Sequence, residues 1–233
     1  MTSILVLGFL IGIRHAFEPD HVAAVASLTT RATSVRQAVR HGAAWGLGHT
    51  LTLFLVCGTV LIFNMTISEH LSHVLEAVVG GMLIILGADV VYRVYRDRVH
   101  FHAHRHGDDK AHFHAHSHKD DRQAVHDAER HDHDHRRSFP TRALLVGLMH
   151  GMAGSAALIV LAVQTAESVA VGLLYIALFG VGSIAGMALF TVVISIPMRS
   201  ARTLTWAHNG FQAVIGGGTV ALGVFTVVTA VEF

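Results

Sequence analysis

Apolar and polar positions along this chain separate into long blocks. Six apolar segments lie near Ser3–Leu28, His41–Phe63, Leu71–Tyr92, Thr141–Gln164, Val169–Ile196 and Trp206–Val231. Each is long enough to cross a hydrocarbon core of about 30 Å as a helix. The first and fifth are the longest and are expected to tilt or break. One polar block, Arg93 to Arg142, divides the third span from the fourth and holds most of the charge.

The connections fix an expected orientation. Arg31, Arg36 and Arg40 lie in the first, many basic residues in the third, and Arg199 and Arg202 in the fifth. The second and fourth, around Asn64–His70 and Thr165–Ser168, have no Lys or Arg. The positive-inside rule then places the odd connections in the cytoplasm and both termini outside. The expected location is the cell (inner) membrane, as a multi-pass protein. The sequon Asn64-Met65-Thr66 reads as a chance match in so short a loop, and no cleaved signal peptide is expected.

The two halves of the chain also resemble each other. Phe9-Leu10-Ile11-Gly12-Ile13-Arg14-His15 aligns with Leu144-Leu145-Val146-Gly147-Leu148-Met149-His150. Trp45-Gly46-Leu47-Gly48 aligns with Phe179-Gly180-Val181-Gly182, and Ala77-Val78-Val79-Gly80-Gly81 with Ala213-Val214-Ile215-Gly216-Gly217. A three-helix unit crosses an odd number of times, so its second copy must be inverted. Inverted repeats of this kind place transport sites near the midplane, where the repeats meet. The expected fold is therefore an all-α polytopic membrane protein with six transmembrane helices in two inverted three-helix repeats. Residues 1–92 form the first repeat, 93–140 a disordered His-rich cytoplasmic loop, and 141–233 the second repeat.

Composition agrees with the hydropathy pattern. Hydrophobic residues make up 52% of the chain and charged ones 14%, with a mean hydropathy of +0.51. That excludes an ordinary soluble domain. A net charge of +1 from scattered basic residues suggests no nucleic-acid partner. Cys57 is alone, so no internal disulfide forms, and its apolar run suggests a small buried hydrophobe.

Against this background Arg14-His15-Ala16-Phe17-Glu18-Pro19-Asp20-His21 stands out. Ionisable residues at membrane depth are costly and face a cavity or a path. Imidazole nitrogen with carboxylate oxygen is a ligand set for divalent transition metals. On an uninterrupted helix His15, Glu18 and His21 share an arc of about 120°, whereas Asp20 points away. Pro19 lacks an N–H and collides with the carbonyl four residues back, so a break there can turn Asp20 toward the histidines. A purely structural cluster, with Arg14 neutralising Glu18 or Asp20, is the competing reading. His49 and His150 reach the same depth, and the repeat makes His150 the counterpart of His15. The metal-site candidates are His15, Glu18, Asp20, His21, His49 and His150. Glu76 and Asp89 are set aside, because they lie near a span end or lack polar neighbours.

The first of these motifs resembles the His-x4-Asp-His signature of nickel/cobalt permeases of the NiCoT type, and Leu47-Gly48-His49-Thr50 resembles their second histidine motif. The resemblance implies a membrane permease for Ni2+ or Co2+, with His15, Asp20 and His21 essential and His49 in support. Those permeases usually have eight spans and an Asp-Thr-rich motif, where this chain has six and Gly154-Ser155-Ala156-Ala157. The shorter chain is more similar to the six-span branch, which includes urease-associated permeases and nickel/cobalt efflux proteins.

Twelve of the twenty histidines lie between Asp97 and Arg137. They include His100, His102, His104 and His106, then His112, His114, His116 and His118, then His131, His133 and His135. So polar a segment is expected to be disordered. Its composition reads as metal binding without choosing among Ni2+, Co2+, Zn2+ and Cu2+. A low-specificity buffer at the cytoplasmic mouth is the expected role. A solvated linker that answers only to pH is the alternative.

The leading expectation is a secondary carrier, with Ni2+ or Co2+ as the cargo the resemblance implies and Zn2+ as a further candidate. No resident cofactor and no enzymatic activity are expected. No Gly-x4-Gly-Lys-Ser/Thr phosphate loop is present. The expected partners are a divalent metal ion and the lipid bilayer, with a metallochaperone or a second copy as further candidates. A cation-diffusion-type Zn2+ exporter is a second reading, though such proteins carry their loop between spans four and five. A membrane metalloenzyme is a third, but its histidines would cluster at helix ends facing the cytoplasm. A metal-binding protein that moves no ion is a fourth.

Overall fold

The computed structural model describes residues 2–32, 34–65, 68–96, 100–104, 112–116, 140–152, 168–200 and 204–232. Seven helices lie among them: α1 (Thr2–His15), α2 (Pro19–Thr29), α3 (Val35–Phe63), α4 (Glu69–Arg96), α5 (Thr141–His150), α6 (Val169–Ser200) and α7 (Thr205–Val231). Of these, α3, α4, α6 and α7 are long and apolar enough to cross a membrane. The architecture is that of a polytopic membrane protein.

The first apolar segment is broken. A helix of 14 residues spans about 21 Å, too short to cross alone. The chain tightens after His15, with the Phe17 N–H bonded to the Arg14 carbonyl and the Glu18 N–H to the His15 carbonyl. Glu18 is then extended (φ −63°, ψ 146°) as the N-cap of α2, and Pro19 opens that helix. Proline is favoured at a first helical position, where its missing N–H would be unpaired anyway. Of the two outcomes expected for the fifth segment, a tilt or a break, the break is absent: α6 runs unbroken through 32 residues. Its proline, Pro197, falls in the last turn, too late to interrupt the apolar part. The fourth segment is described only as far as Met152; residues 153–167 lie outside the described residues, and Gly154-Ser155-Ala156-Ala157 with them.

Both ends of α3 are fixed by local chemistry. The Ser34 hydroxyl accepts from the Gln37 N–H, capping the helix start. Asn64 adopts the left-handed conformation (φ 49°) at the other end.

Small residues set the helix packing. α1 lies against α6, α3 against both α6 and α5, and α4 against α7, with α2 wedged among them. A Cβ at Gly12 would overlap the Phe179 carbonyl of α6, and one at Gly147 the Trp45 carbonyl of α3. Gly48 meets the Leu144 carbonyl and Gly182 the Phe9 carbonyl in the same way. Such contacts let membrane helices approach closely where no hydrophobic effect drives them together. The main core gathers Ala24, Val25, Trp45, Leu83, Val146 and Met187. A second cluster holds Leu53, Cys57, Ile176 and Phe179, so Cys57 is the buried hydrophobe its run suggested. Outward-facing Ile85, Val214 and Phe225 are well exposed, as suits a lipid-facing surface.

The polar block is corrected in part. Strands β1 (His100–His104) and β2 (His112–His116) pair antiparallel, with His100 opposite His116, His102 opposite His114 and His104 opposite His112. His-Phe-His-Ala-His has the two-residue period of a strand, which outweighs the polar composition at these ten residues. His106, His118, His131, His133 and His135 lie outside the described residues.

Candidate metal centre

Two half-length helices deliver the first two histidines. His15 is the last residue of α1 and His150 the last residue of α5. A helix C-terminus carries partial negative charge on its unpaired carbonyls, which favours a nearby cation. His21 comes from the first turn of α2 and His49 from the middle of α3. All four rings are buried, none more than 4% exposed.

The rings converge on His21. Its centroid lies 4.2 Å from that of His15, 4.9 Å from His49 and 4.4 Å from His150. Ligand atoms of His15, His21 and His49 lie within 4.8 Å of one another, and so do those of Asp20, His21 and His150. His21 belongs to both sets. His15 Nε2 and His49 Nε2 are 3.2 Å apart.

Two carboxylates set the ring tautomers. Asp20 Oδ1 accepts from His21 Nδ1 at 2.8 Å, and Oδ2 accepts from His150 Nε2 at 3.0 Å. Glu18 Oε1 lies 3.0 Å from His15 Nδ1. A neutral imidazole that donates from one nitrogen keeps its lone pair on the other, where a metal binds. The lone pairs then fall on His21 Nε2, His150 Nδ1 and His15 Nε2. His21 Nε2, His150 Nδ1 and His49 Nδ1 are buried without a hydrogen-bond partner. Leaving such atoms unpaired is costly, so they mark a place for a ligand.

Arg14 does not complete the cluster. It is exposed and makes no ion pair with Glu18 or Asp20 among the described residues, contrary to the structural-cluster reading. Asp89 lies apart, bound by Arg31, Arg93 and Arg142. Glu76 is 3.9 Å from His73, away from the four histidines. Two aromatic walls escaped the sequence reading. Trp45 is fully buried, its ring centroid 5.3 Å from those of His21 and His150 and 5.8 Å from that of His49. Phe179 lies 5.1 Å from His15. Trp45 sits one helical turn before His49, the one sequence signal that it would share the same face.

The Glu18 contact leads to a prediction. Outer carboxylates that orient a metal-binding histidine are commonly worth about 10–100-fold in affinity. Glu18→Ala is expected to weaken nickel binding within that range while the protein still inserts, and Glu18→Gln to lose less. Equilibrium binding to the purified variants measures it; unchanged affinity in Glu18→Ala would separate Glu18 from the site.

Buried imidazoles aligned by carboxylates between membrane helices have the ligand chemistry of a membrane protein that handles a transition-metal cation. The chain belongs to the NicO family, described as High-affinity nickel-transport protein, whose model matches residues 1–231. It is 32% identical over 227 residues to the Urease accessory protein UreH of Bacillus sp. (strain TB-90), covering 96% of this chain and 90% of that one. No solved structure matches significantly. The protein is thus an integral membrane protein of a nickel-transport family.

Proposed function

We propose that the protein is a secondary carrier that moves Ni2+, and Co2+ as a second cargo, through a site formed by His15, His21, His49 and His150. Asp20 and Glu18 hold the rings in their metal-binding tautomers, and Asp20 is placed to become a ligand itself. The observation that carries this reading is the set of buried, unpaired ring nitrogens on His21, His49 and His150. An ion entering the site exchanges water for these nitrogens, with α1 and α5 presenting their carbonyl ends to it.

The reading includes two inverted repeats, 1–92 and 141–233, with both termini outside the cell membrane. The glycine contacts support it: Gly12 on Phe179 matches Gly147 on Trp45, each residue displaced by about the same length of chain. Gly48 on Leu144 matches Gly182 on Phe9 in the same way. A two-fold relation of this kind lets one packing serve two arrangements, as alternating access requires. The His-rich block between the repeats buffers ions at the cytoplasmic mouth, at an affinity set by neutral imidazoles.

Proteoliposomes test the function directly. The expected result is saturable entry of radiolabelled nickel that depends on the protein and is reduced by excess cobalt. Binding without flux would make the protein a sensor or store, and flux of zinc with exclusion of nickel would favour the exporter reading.

A further inference from the structure

The described residues line a partly open cavity of about 170 Å³ on the arginine-bearing side of the histidines, and the proposed ion site makes no use of it. Leu28, His41 and Ala143 line it from three separate elements. Leu28 is seven residues beyond His21 on α2, His41 eight residues before His49 on α3, and Ala143 seven residues before His150 on α5. At 1.5 Å per residue, all three helices place the cavity about 10–12 Å from the histidine layer. The agreement of three independent helices makes it a space in line with the site.

This space is closed toward the histidines and narrowed, but still open, at its other end. Toward the histidines, Trp45 lies midway between His41 and His49 and touches three of the four rings. Val25 and Val146 join it in the same buried cluster, leaving an apolar layer one helical turn thick. Toward the outside, Asp89 on α4 accepts two hydrogen bonds from Arg31 at 3.0 and 2.9 Å and one from Arg142 at 3.1 Å. Arg31 follows α2 in the first half of the chain and Arg142 opens α5 in the second, so one carboxylate ties the two halves across the mouth. Both arginines are nearly half exposed, and ion pairs of that kind are weak enough to open and close.

We infer that this cavity is the cytoplasmic vestibule of the ion path, with the Trp45 layer as its inner gate and the Asp89–Arg31–Arg142 cluster as its outer latch. The inference rests on the carrier reading and adds the route by which the ion meets the cytoplasm. In this role Asp89 touches no bound ion at the histidine layer; it holds Arg31 and Arg142 across the mouth and narrows it between transport events.

Cysteine accessibility in the full-length protein tests it, with the wild type, whose sole cysteine is the buried Cys57, as background. Leu28→Cys and Ala143→Cys are reacted with a membrane-impermeant cationic methanethiosulfonate in right-side-out and inside-out vesicles. The expected result is reaction only in inside-out vesicles, at least about tenfold faster when Asp89→Asn is added, together with a block of nickel flux. Modification from the other side, rates indifferent to Asp89→Asn, or full modification with undiminished flux would each overturn the vestibule. Failure of the carrier reading looks different: no nickel flux before any thiol is modified.

Discussion

Alanine in place of His21 is expected to lower nickel flux by more than about 100-fold, beyond the range usual for an outer-shell partner. His21 is the residue common to both ligand sets, His15–His21–His49 and Asp20–His21–His150. Its loss removes a ring nitrogen from each and takes one of the two imidazoles from Asp20, which keeps His150 and the backbone N–H of residue 21. His49→Ala should also be severe but smaller, because it leaves the second set intact. Initial rates in proteoliposomes at matched protein density measure both. His21→Ala with flux within about threefold of wild type, in a correctly inserted protein, would remove the site from the path.

Gly147→Ala is expected to be nearly as damaging for a different reason. The added methyl would overlap the Trp45 carbonyl oxygen and crowd the His49 N–H. Backbone atoms cannot swing aside, so α5 must move away from α3 and carry His150 with it. Overpacking of a tight core costs about 1–3 kcal/mol, and here the displacement falls on the ligand geometry as well. The expected result is a lower thermal midpoint in detergent and a loss of flux of about tenfold or more. Gly12→Ala should behave alike through the Phe179 carbonyl. Gly81→Ala, where the new methyl meets open space, should leave stability and flux unchanged. Equal tolerance at Gly147 and Gly81 would contradict this packing.

How much of this was legible from the sequence follows from where each signal lies. His15, Asp20, His21 and His49 could be picked out because polar groups in apolar spans need a reason to be there. The break after His15 was legible because Pro19 leaves few alternatives. His150 was reached through its offset from His15, not through its own surroundings. The bond from Asp20 to His150 was not legible, because it spans 130 residues and depends on how α5 meets α2. Trp45 reads as one more apolar residue until three imidazoles are set around it. Asp89 looked unsupported because its arginine partners come from the turn after α2, the next turn of α4 and the start of α5. The strand pairing of His100–His104 with His112–His116 was visible as a two-residue period, but polar composition pointed the other way. Unbroken α6 shows the converse, since apolar length alone does not make a break.

Binding of one divalent cation at the intramembrane histidines underlies every step of the proposed transport. It is tested most directly by equilibrium binding of radiolabelled nickel to the full-length protein with the twelve histidines between Asp97 and Arg137 changed to glutamine. The expected result is about one ion per chain, lost when His21→Ala is added and weakened by Glu18→Ala. No binding once the loop histidines are gone, or binding untouched by His21→Ala, would contradict it.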